Sequence, residues 1–268
     1  MRKGYIKFMK SALVVLFSML IFSASYAGTT DPSVPDEKYR KYGDEHECVV
    51  KIKGKCWCKK KEGSEHDFSA SAVVINSHWV LTAAHVVDNT KDVFISVKGK
   101  DLPMKKVIVK KEFDESNLGF NDIAMCYCEE DIGLDFYPEL YEGRDEVGKI
   151  AGICGYGMYG TFSTGATKSD GNKRAGSNIV EMIDRNCLVC SNVGGKKTNM
   201  EFLIASGDSG GGLFIDGKLA GINSFVMAAD GKSNSDYGDE CAHTRISEYI
   251  KWIKEQMKQD VVQEVGKD

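Results

Sequence analysis

The sequence predicts an all-β protein made of two successive barrel-like halves and ending in one helix. Short segments rich in β-branched residues recur along the chain, and glycine, asparagine and aspartate separate them. Two series can be distinguished, 49–52, 69–75, 79–81, 93–97, 107–109 and 123–128, then 150–154, 179–183, 213–215 and 219–226. Because the less regular stretch 135–148 separates them, the pattern favours two barrels over one sandwich. We place the first half at 48–140 and the second at 141–268.

The end of the chain has a helical pattern. From Ser247 onward, Tyr249, Ile250, Ile253 and Met257 recur at helical spacing, with lysine, glutamate and glutamine on the other side. A partner-binding helix is an alternative, but such a stripe most often packs onto its own domain. We therefore expect a C-terminal α-helix.

The first 27 residues have the composition of a secretory signal peptide. Four basic residues precede an apolar run at 12–24, and small residues at Ser25 and Ala27 fit cleavage before Gly28. A signal anchor is the alternative, although the run is shorter than the ~20 residues of a membrane-spanning helix. We expect removal of the segment and secretion, either to the outside of the cell or to a periplasm.

Two stretches have few large apolar residues. Residues 28–47 are polar, contain Pro32 and Pro35 and show no apolar periodicity, which predicts an extended arm or propeptide before regular structure starts at Cys48. Residues 155–178 are rich in glycine, serine, threonine and lysine, which predicts a mobile surface loop.

The charge of the chain limits its partners. Removal of the four basic residues of the signal peptide changes the formal net charge from −4 to −8. An acidic balance argues against nucleic acid or an anionic membrane as a partner. We expect a soluble monomer whose partner is a polypeptide substrate.

Nine cysteines lie after the signal peptide, and disulfides are the usual state of cysteines in an oxidising compartment. Because nine is odd, either one thiol is free or two chains are linked. The pairs Cys56/Cys58, Cys126/Cys128 and Cys187/Cys190 could be metal ligands, but none is joined to a histidine at finger-like spacing, so we expect no metal. The sequence leaves the disulfide pairing open.

The stretch Ser206-Gly207-Asp208-Ser209-Gly210-Gly211-Gly212 precedes the apolar run 213–215. Glycines adopt backbone angles that a Cβ forbids, so a serine among them can sit exposed on a tight turn with N–H groups pointing outward. Such a serine is a candidate nucleophile. It needs a histidine to accept its proton and an acid to orient that histidine.

Two upstream residues are candidates for these roles. His85 lies in Leu81-Thr82-Ala83-Ala84-His85-Val86, at the end of an apolar strand and among small residues that leave room around the imidazole. Asp122 precedes the apolar strand 123–128, where an unpaired carboxylate would be costly to bury. Taken singly, a core histidine, a turn aspartate and a serine in a glycine loop each have a structural explanation.

Taken together, the order His, Asp, Ser resembles the chymotrypsin-like serine proteases, through T-A-A-H at 82–85, D-I-A at 122–124 and G-D-S-G-G at 207–211. The resemblance extends from about Cys48 to the final helix. It implies two six-stranded antiparallel β-barrels with the site between them, and a serine endopeptidase that needs no cofactor. It also implies Ser209 as nucleophile, His85 as general base, Asp122 as the orienting acid, and the N–H groups of Gly207 and Ser209 as the oxyanion hole.

The same resemblance indicates residues that bind substrate. Leu203, six positions before the nucleophile, would form the base of the primary pocket, and Val226 and Cys241 would occupy its walls. The segment Ser224-Phe225-Val226 would pair with an extended substrate. Because an apolar base offers no partner to Arg or Lys, and wall side chains make the pocket shallow, we expect cleavage after small or medium aliphatic residues.

The sequence departs from the family at the start of the chain. In the family a freed apolar N-terminus pairs with the aspartate before the nucleophile, here Asp208, yet no Ile-Val-Gly-Gly-like start is present. Either Asp208 has another partner or a non-standard cut is made in the polar arm. The missing start also supports an alternative function, a catalytically silent binding protein with a protease fold.

Overall fold

The computed structural model describes residues 28–57, 65–117 and 119–265, so the predicted signal peptide and Cys58 lie outside the described residues. The strands are β1 (Thr29–Thr30), β2 (Val49–Trp57), β3 (Glu65–Val74), β4 (Trp79–Thr82), β5 (Thr90–Val97), β6 (Lys100–Val109), β7 (Ala124–Cys128), β8 (Ile150–Gly155), β9 (Tyr159–Thr161), β10 (Gly165–Lys168), β11 (Arg174–Ile179), β12 (Met182–Asp184), β13 (Cys187–Ser191), β14 (Phe202–Leu203), β15 (Gly212–Ile215), β16 (Lys218–Met227) and β17 (Glu240–Arg245). The helices are α1 (Asp36–Asp44), α2 (Ala84–Val87) and α3 (Ile250–Val265), with a 3₁₀ turn at Ile246–Glu248.

The first half is a closed barrel of six strands in the order β2-β3-β4-β7-β6-β5. Every neighbouring pair is antiparallel, including the β2 and β5 pair that closes the barrel. Its interior contains fully buried apolar side chains such as Ile52, Leu81, Ile95 and Met125. The six-stranded first barrel predicted from the short β-branched segments is confirmed.

The second half differs from the expected barrel in its strand count. It is a seven-stranded sheet in the order β11-β8-β15-β16-β17-β13-β12, accompanied by a four-stranded sheet in the order β10-β9-β1-β14. The all-β class with a C-terminal helix is confirmed, but the second six-stranded closed barrel is not observed. The larger sheet stays open because no described pairing joins its edge strands β11 and β12, while β14 pairs with β1 from the N-terminal segment in the smaller sheet.

The expectation that regular structure starts at Cys48 is wrong. Residues 28–47 contain β1 and α1, and Tyr39 of α1 is fully buried in the core of the second half. Arg174 anchors the same helix, because its guanidinium bonds to both carboxylate oxygens of Asp36 at 2.6 and 2.9 Å. The segment is held by one buried tyrosine, by ion pairs and by the backbone pairing of β1, and none of these requires an apolar periodicity.

Residues 155–178 also differ from expectation. The stretch predicted to be a mobile loop contains β9, β10 and the first part of β11. Strand β11 pairs with β8 over six residues, and β9 pairs with both β1 and β10. Backbone pairing with neighbours that are distant in sequence orders this stretch, and its composition alone does not reveal those neighbours.

The C-terminal helix packs on the first barrel. Tyr249 and Ile253 belong to the apolar cluster that fills the first barrel, and the Asn76 side-chain amide contacts the Met257 sulfur at 3.4 Å. The helical stripe read from the sequence is therefore confirmed, with its apolar face covered by the other half of the molecule. Within the described part of the chain, no helix is both long and apolar enough to span a membrane.

A buried ion pair fastens the connection between the halves to the end of β17. Glu146 is fully buried, and its two oxygens accept from the Arg245 guanidinium at 2.8 and 2.7 Å. The Ser247 hydroxyl donates to the same carboxylate at 3.0 Å. Removal of one partner would leave a buried charge uncompensated.

We therefore predict that Glu146→Ala lowers the free energy of unfolding by about 3–5 kcal/mol, as measured by urea denaturation. The matched control is Glu142→Ala, four residues earlier, where the carboxylate forms an exposed pair with Lys254. That change should cost less than about 1 kcal/mol. Equal losses for the two variants would contradict the prediction.

Candidate active site

The His85 imidazole is held by Asp122. His85 lies on α2, the short helix that directly follows β4, and Asp122 lies two residues before β7. Because β4 and β7 are paired neighbours in the barrel, the two residues meet at the same end of the sheet. His85 Nδ1 contacts Asp122 Oδ2 at 2.8 Å, and the His85 backbone N–H donates to Asp122 Oδ1 at 2.9 Å. The carboxylate therefore fixes both the ring and the backbone of the histidine.

Asp122 has a further partner from the second half of the molecule. The Ser224 hydroxyl, from β16, donates to Asp122 Oδ2. The carboxyl side chain is 2% exposed. Burial raises the pKa of Asp122. The charge of His85 and the hydrogen bonds from His85 and Ser224 lower it by more, so the pKa lies below its ordinary value. The group remains a carboxylate.

The same contacts act on the histidine. The His85 side chain is 27% exposed. Burial lowers the pKa of His85, but the Asp122 charge and hydrogen bond raise it by more, so the pKa lies above the ordinary value of 6.5. Since Nδ1 faces the carboxylate, Nε2 is the ring nitrogen that can exchange a proton with another group.

The glycine-rich loop before β15 packs closely against two other backbone segments. Gly207 and Gly210 have φ angles of +91° and +83°, which favour glycine. A Cβ at Gly207 would lie 2.9 Å from the Gly157 Cα, and a Cβ at Gly210 would lie 2.1 Å from the Thr82 hydroxyl. The glycines let the loop approach β4 of the first barrel, three residues before His85.

Ser209 lies between these two glycines and is partly exposed. Its carbonyl accepts from the Ser71 N–H at 2.9 Å, and its hydroxyl donates to the Ser224 carbonyl at 3.5 Å. In the described part of the chain, no hydrogen bond joins the Ser209 hydroxyl to His85. Nor do the N–H groups of Gly207 and Ser209 donate to any described acceptor, so both are free to bind an external oxygen.

The sequence did not indicate two polar residues that support this loop. The Ser71 hydroxyl donates to the Gly207 carbonyl and accepts from the Tyr156 N–H, both at 2.8 Å. The Asn223 side chain donates to the Asp208 carbonyl at 3.1 Å. Ser71 and Asn223 are both fully buried. Their position as polar residues inside predicted strands is the one sequence signal that could have marked them.

Asp208 points away from the reacting groups, into the interior. Its side chain accepts backbone N–H groups from Gly157 at 3.0 Å and Ala205 at 3.2 Å. Burial raises the pKa of Asp208 to about 7, while the backbone N–H groups of Gly157, Ala205 and Gly28 oppose the shift. The sequence left the partner of Asp208 open, and the structure identifies the N–H groups of Gly157 and Ala205 as its donors.

The residues expected to form the substrate pocket lie in one region. Leu203 and Cys241 are fully buried in the same apolar cluster, and Val226, which is partly exposed, packs against it. Val226 is directly opposite Cys241 in the β16 and β17 pair, and Phe225 is also partly exposed. The Cys241 sulfur contacts His243 Nε2 at 3.3 Å, so its thiol faces the interior.

A two-half β architecture with a serine in a glycine loop and a histidine paired with a buried aspartate is typical of the serine-type endopeptidases. The family model described as Trypsin matches residues 44–253, which is most of the chain. The chain belongs to the trypsin family. This agrees with the resemblance noted in the sequence from Cys48 to the final helix.

Relatives support the same assignment, and two solved structures show the same fold. Chymotrypsin from Phaedon cochleariae is 26% identical over 212 residues, which cover 71% of this chain and 72% of that protein. Snake venom serine protease KN6 from Trimeresurus stejnegeri is 26% identical over 71% of this chain and 78% of its own. The structures of HL collagenase and of mouse neuropsin, described as a serine protease, share the fold with TM-scores of 0.63 and 0.60. They are 17% and 20% identical, and each match covers 80% of this chain and 94% or 96% of the other.

The balance of effects on His85 predicts its response to substitution. In the wild type the pKa of His85 lies above 6.5, because the Asp122 carboxylate outweighs burial. In Asp122→Asn the burial effect remains and the negative charge is gone, so we expect the pKa of His85 to fall below 6.5. NMR titration of the imidazole measures both values.

Glu115→Gln is the matched control for that titration, since Glu115 also raises the pKa of His85 but contributes least among its causes. We expect this variant to retain a pKa above 6.5. A pKa that is the same in wild type and Asp122→Asn would contradict the assignment of the pair.

Proposed function

We propose that this protein hydrolyses peptide bonds through Ser209, His85 and Asp122, by way of an acyl-enzyme. The observation that carries the proposal is the orientation of His85. Asp122 holds Nδ1 at 2.8 Å, so Nε2 is the nitrogen available to accept the Ser209 proton. The raised pKa of His85 suits a group that must hold the proton during the reaction.

The reaction proceeds in two stages. The Ser209 oxygen bonds to the carbonyl carbon of the substrate while its proton moves to His85 Nε2, and the carbonyl oxygen becomes an oxyanion. The N–H groups of Gly207 and Ser209 donate to that oxyanion. The C–N bond then breaks, the amine leaves with the proton from His85, and water repeats the sequence to release the acid and free Ser209.

In the structure the Ser209 hydroxyl donates weakly to the Ser224 carbonyl at 3.5 Å. Rotation about its Cα–Cβ bond redirects the hydroxyl toward His85, and catalytic hydrogen bonds commonly tighten when substrate binds. The observed orientation is also the feature that favours the alternative function, a binding protein without activity. A probe that reacts only with an activated serine separates the two.

The substrate lies along the edge of β16. Strand β15 pairs with β16 as far as Ile222, whereas β16 continues to Met227. Beyond Ile222, no described strand pairs with that edge of β16. An extended peptide can add there as a further strand, beside Ser224 and in line with Ser209.

Secretion is part of the proposal. The basic and apolar pattern of residues 1–27 supports export, and several relatives are named as snake venom serine proteases. A venom enzyme is an exported enzyme, so export is compatible with the family. We propose that the protein acts outside the cell that makes it or in its periplasm, without a cofactor.

We expect a fluorophosphonate probe to label the wild type and to spare Ser209→Ala, because the probe bonds to a serine oxygen activated by a histidine. Ser206→Ala is the matched control, since Ser206 lies in the same loop and is also partly exposed. It should retain labelling. Absence of labelling in a folded wild type would favour the binding protein.

A peptide library should show preferred cleavage after small or medium aliphatic residues. Leu203 and Val226, which we assign to the pocket, are apolar, and neither can pair with a positive charge. The measurement is the distribution of residues before the cleaved bond. Dominant cleavage after Arg or Lys would refute this specificity.

A further inference from the structure

Three aspartates come together in loop 228–239, which joins β16 to β17. Asp230, Asp236 and Asp239 each place one carboxylate oxygen within 4.8 Å of the corresponding oxygens of the other two. The cluster runs from the surface to the interior, because Asp230 is exposed, Asp236 is half-buried and Asp239 is fully buried. Like charges at this spacing repel one another, so a positive charge among them would stabilise the loop.

The buried member of the cluster has an oxygen that nothing bonds. Asp239 Oδ1 accepts the Ala229 N–H at 2.9 Å, whereas Asp239 Oδ2 has no hydrogen-bond partner among the described residues. A buried carboxylate oxygen without a partner is costly and rare in proteins. Asn234, whose amide nitrogen donates to Asp236 at 3.0 Å, has a second buried oxygen without a described partner. Two such oxygens at one cluster indicate a ligand that supplies positive charge.

The cations of the protein do not balance these three carboxylates. The Lys232 ammonium pairs with Asp230 at 2.9 Å, and both side chains are exposed. Within the described part of the chain, no lysine or arginine pairs with Asp236 or Asp239. Three carboxylates and one ammonium leave two negative charges uncompensated, and one divalent cation carries the charge that balances them.

We propose that Asp230, Asp236 and Asp239 bind one calcium ion. Ca²⁺ takes about six to eight oxygen ligands at roughly 2.3–2.6 Å, and carboxylate, amide and water oxygens all serve. Two oxygens bound to one such ion lie at most about 5 Å apart, which the spacing of the cluster satisfies. The expectation of no metal rested on cysteine pairs at zinc-like spacing, whereas this cluster offers oxygen atoms only.

The position of the cluster explains what the ion does for the fold. Asp230 lies three residues after β16, and Asp239 directly precedes β17, so one ion joins the two ends of the loop. Strand β16 carries Ser224, and β17 carries Cys241, which we assign to the wall of the pocket. Calcium therefore stabilises the second half beside the pocket and takes no part in bond cleavage, so its binding does not depend on the proposed function.

The test is a calcium titration of the purified protein after EGTA has removed bound metal. We expect isothermal titration calorimetry to detect one site with a Kd of about 0.1–1 mM, as in extracellular calcium-binding modules. Asp239→Asn keeps the acceptor for Ala229 but removes the charge, so it should weaken binding at least about tenfold. Asp184→Asn is the matched control, because Asp184 is an exposed carboxylate on β12 outside the cluster. It should retain the wild-type Kd.

Thermal unfolding separates calcium binding from structural damage. Calcium chloride at about 10 mM should raise the Tm of the wild type by about 3–10 °C, because a ligand that binds only the folded state stabilises it. In Asp239→Asn, calcium should leave the Tm unchanged. The metal-free Tm of this variant should equal or exceed that of the metal-free wild type, since the variant lacks an uncompensated buried charge.

Lys232→Gln tests the charge balance of the cluster. The Lys232 ammonium competes with calcium for Asp230, so its removal should strengthen calcium binding by up to about fivefold, the limit for an exposed ion pair. Lys218→Gln is the control, because Lys218 pairs with Glu139 at the other end of β16. It should leave the Kd unchanged.

A folded wild type with neither a binding heat nor a calcium-dependent Tm would overturn the inference, as would an Asp239→Asn variant that binds calcium with the wild-type Kd. An equal rise in Tm with sodium chloride at the same ionic strength, or with magnesium chloride, would also overturn the assignment to calcium. A wild type that binds calcium but fails to react with the fluorophosphonate would leave the inference intact and contradict the proposed function.

Discussion

The hydrogen bonds of the Asp122 carboxylate are the interactions on which the rest of the site depends. It is buried at the junction of the two halves, and an unpaired carboxylate there would be strongly unfavourable. His85 from the first half and Ser224 from the second both bond to it, and the Thr244 hydroxyl donates to its backbone carbonyl. Because these partners come from both halves, the acid is satisfied only when the halves are joined.

The glycine-rich loop that carries Ser209 depends on polar side chains that lie beneath it. Ser71 reaches from β3 to the Gly207 carbonyl, and Asn223 reaches from β16 to the Asp208 carbonyl. The Asn223 bond holds the Asp208 carbonyl inward, so the N–H group on the opposite side of that peptide unit, which belongs to Ser209, can face outward. The N–H group that shares a peptide unit with the Gly207 carbonyl belongs to Asp208, and it donates to the Ala205 carbonyl at 3.2 Å. The glycines allow the close approach, and the buried side chains determine which way the loop faces.

Much of this arrangement could be predicted from the sequence. The first barrel follows from short β-branched segments, and His85 and Asp122 could be paired because each ends or begins an apolar strand. Strands β13 and β17 were missed, since their cysteines, histidine and charged residues do not form an alternating apolar pattern. The roles of Ser71 and Asn223 depend on hydrogen bonds from their side chains to backbone carbonyls of a distant segment, and no local pattern records such contacts.

The turn between β12 and β13 has a consequence for how the molecule behaves at high concentration. Arg185 and Asn186 both have positive φ angles, as a tight hairpin requires, and the hairpin leaves β12 at the outer margin of the seven-stranded sheet. Met182 and Ile183 on that edge strand are 46% and 38% exposed. An exposed apolar edge strand can pair with a strand of another chain. The strand is only three residues long and ends in a charged residue. A second molecule could therefore form only a few backbone hydrogen bonds with it, too few to start aggregation.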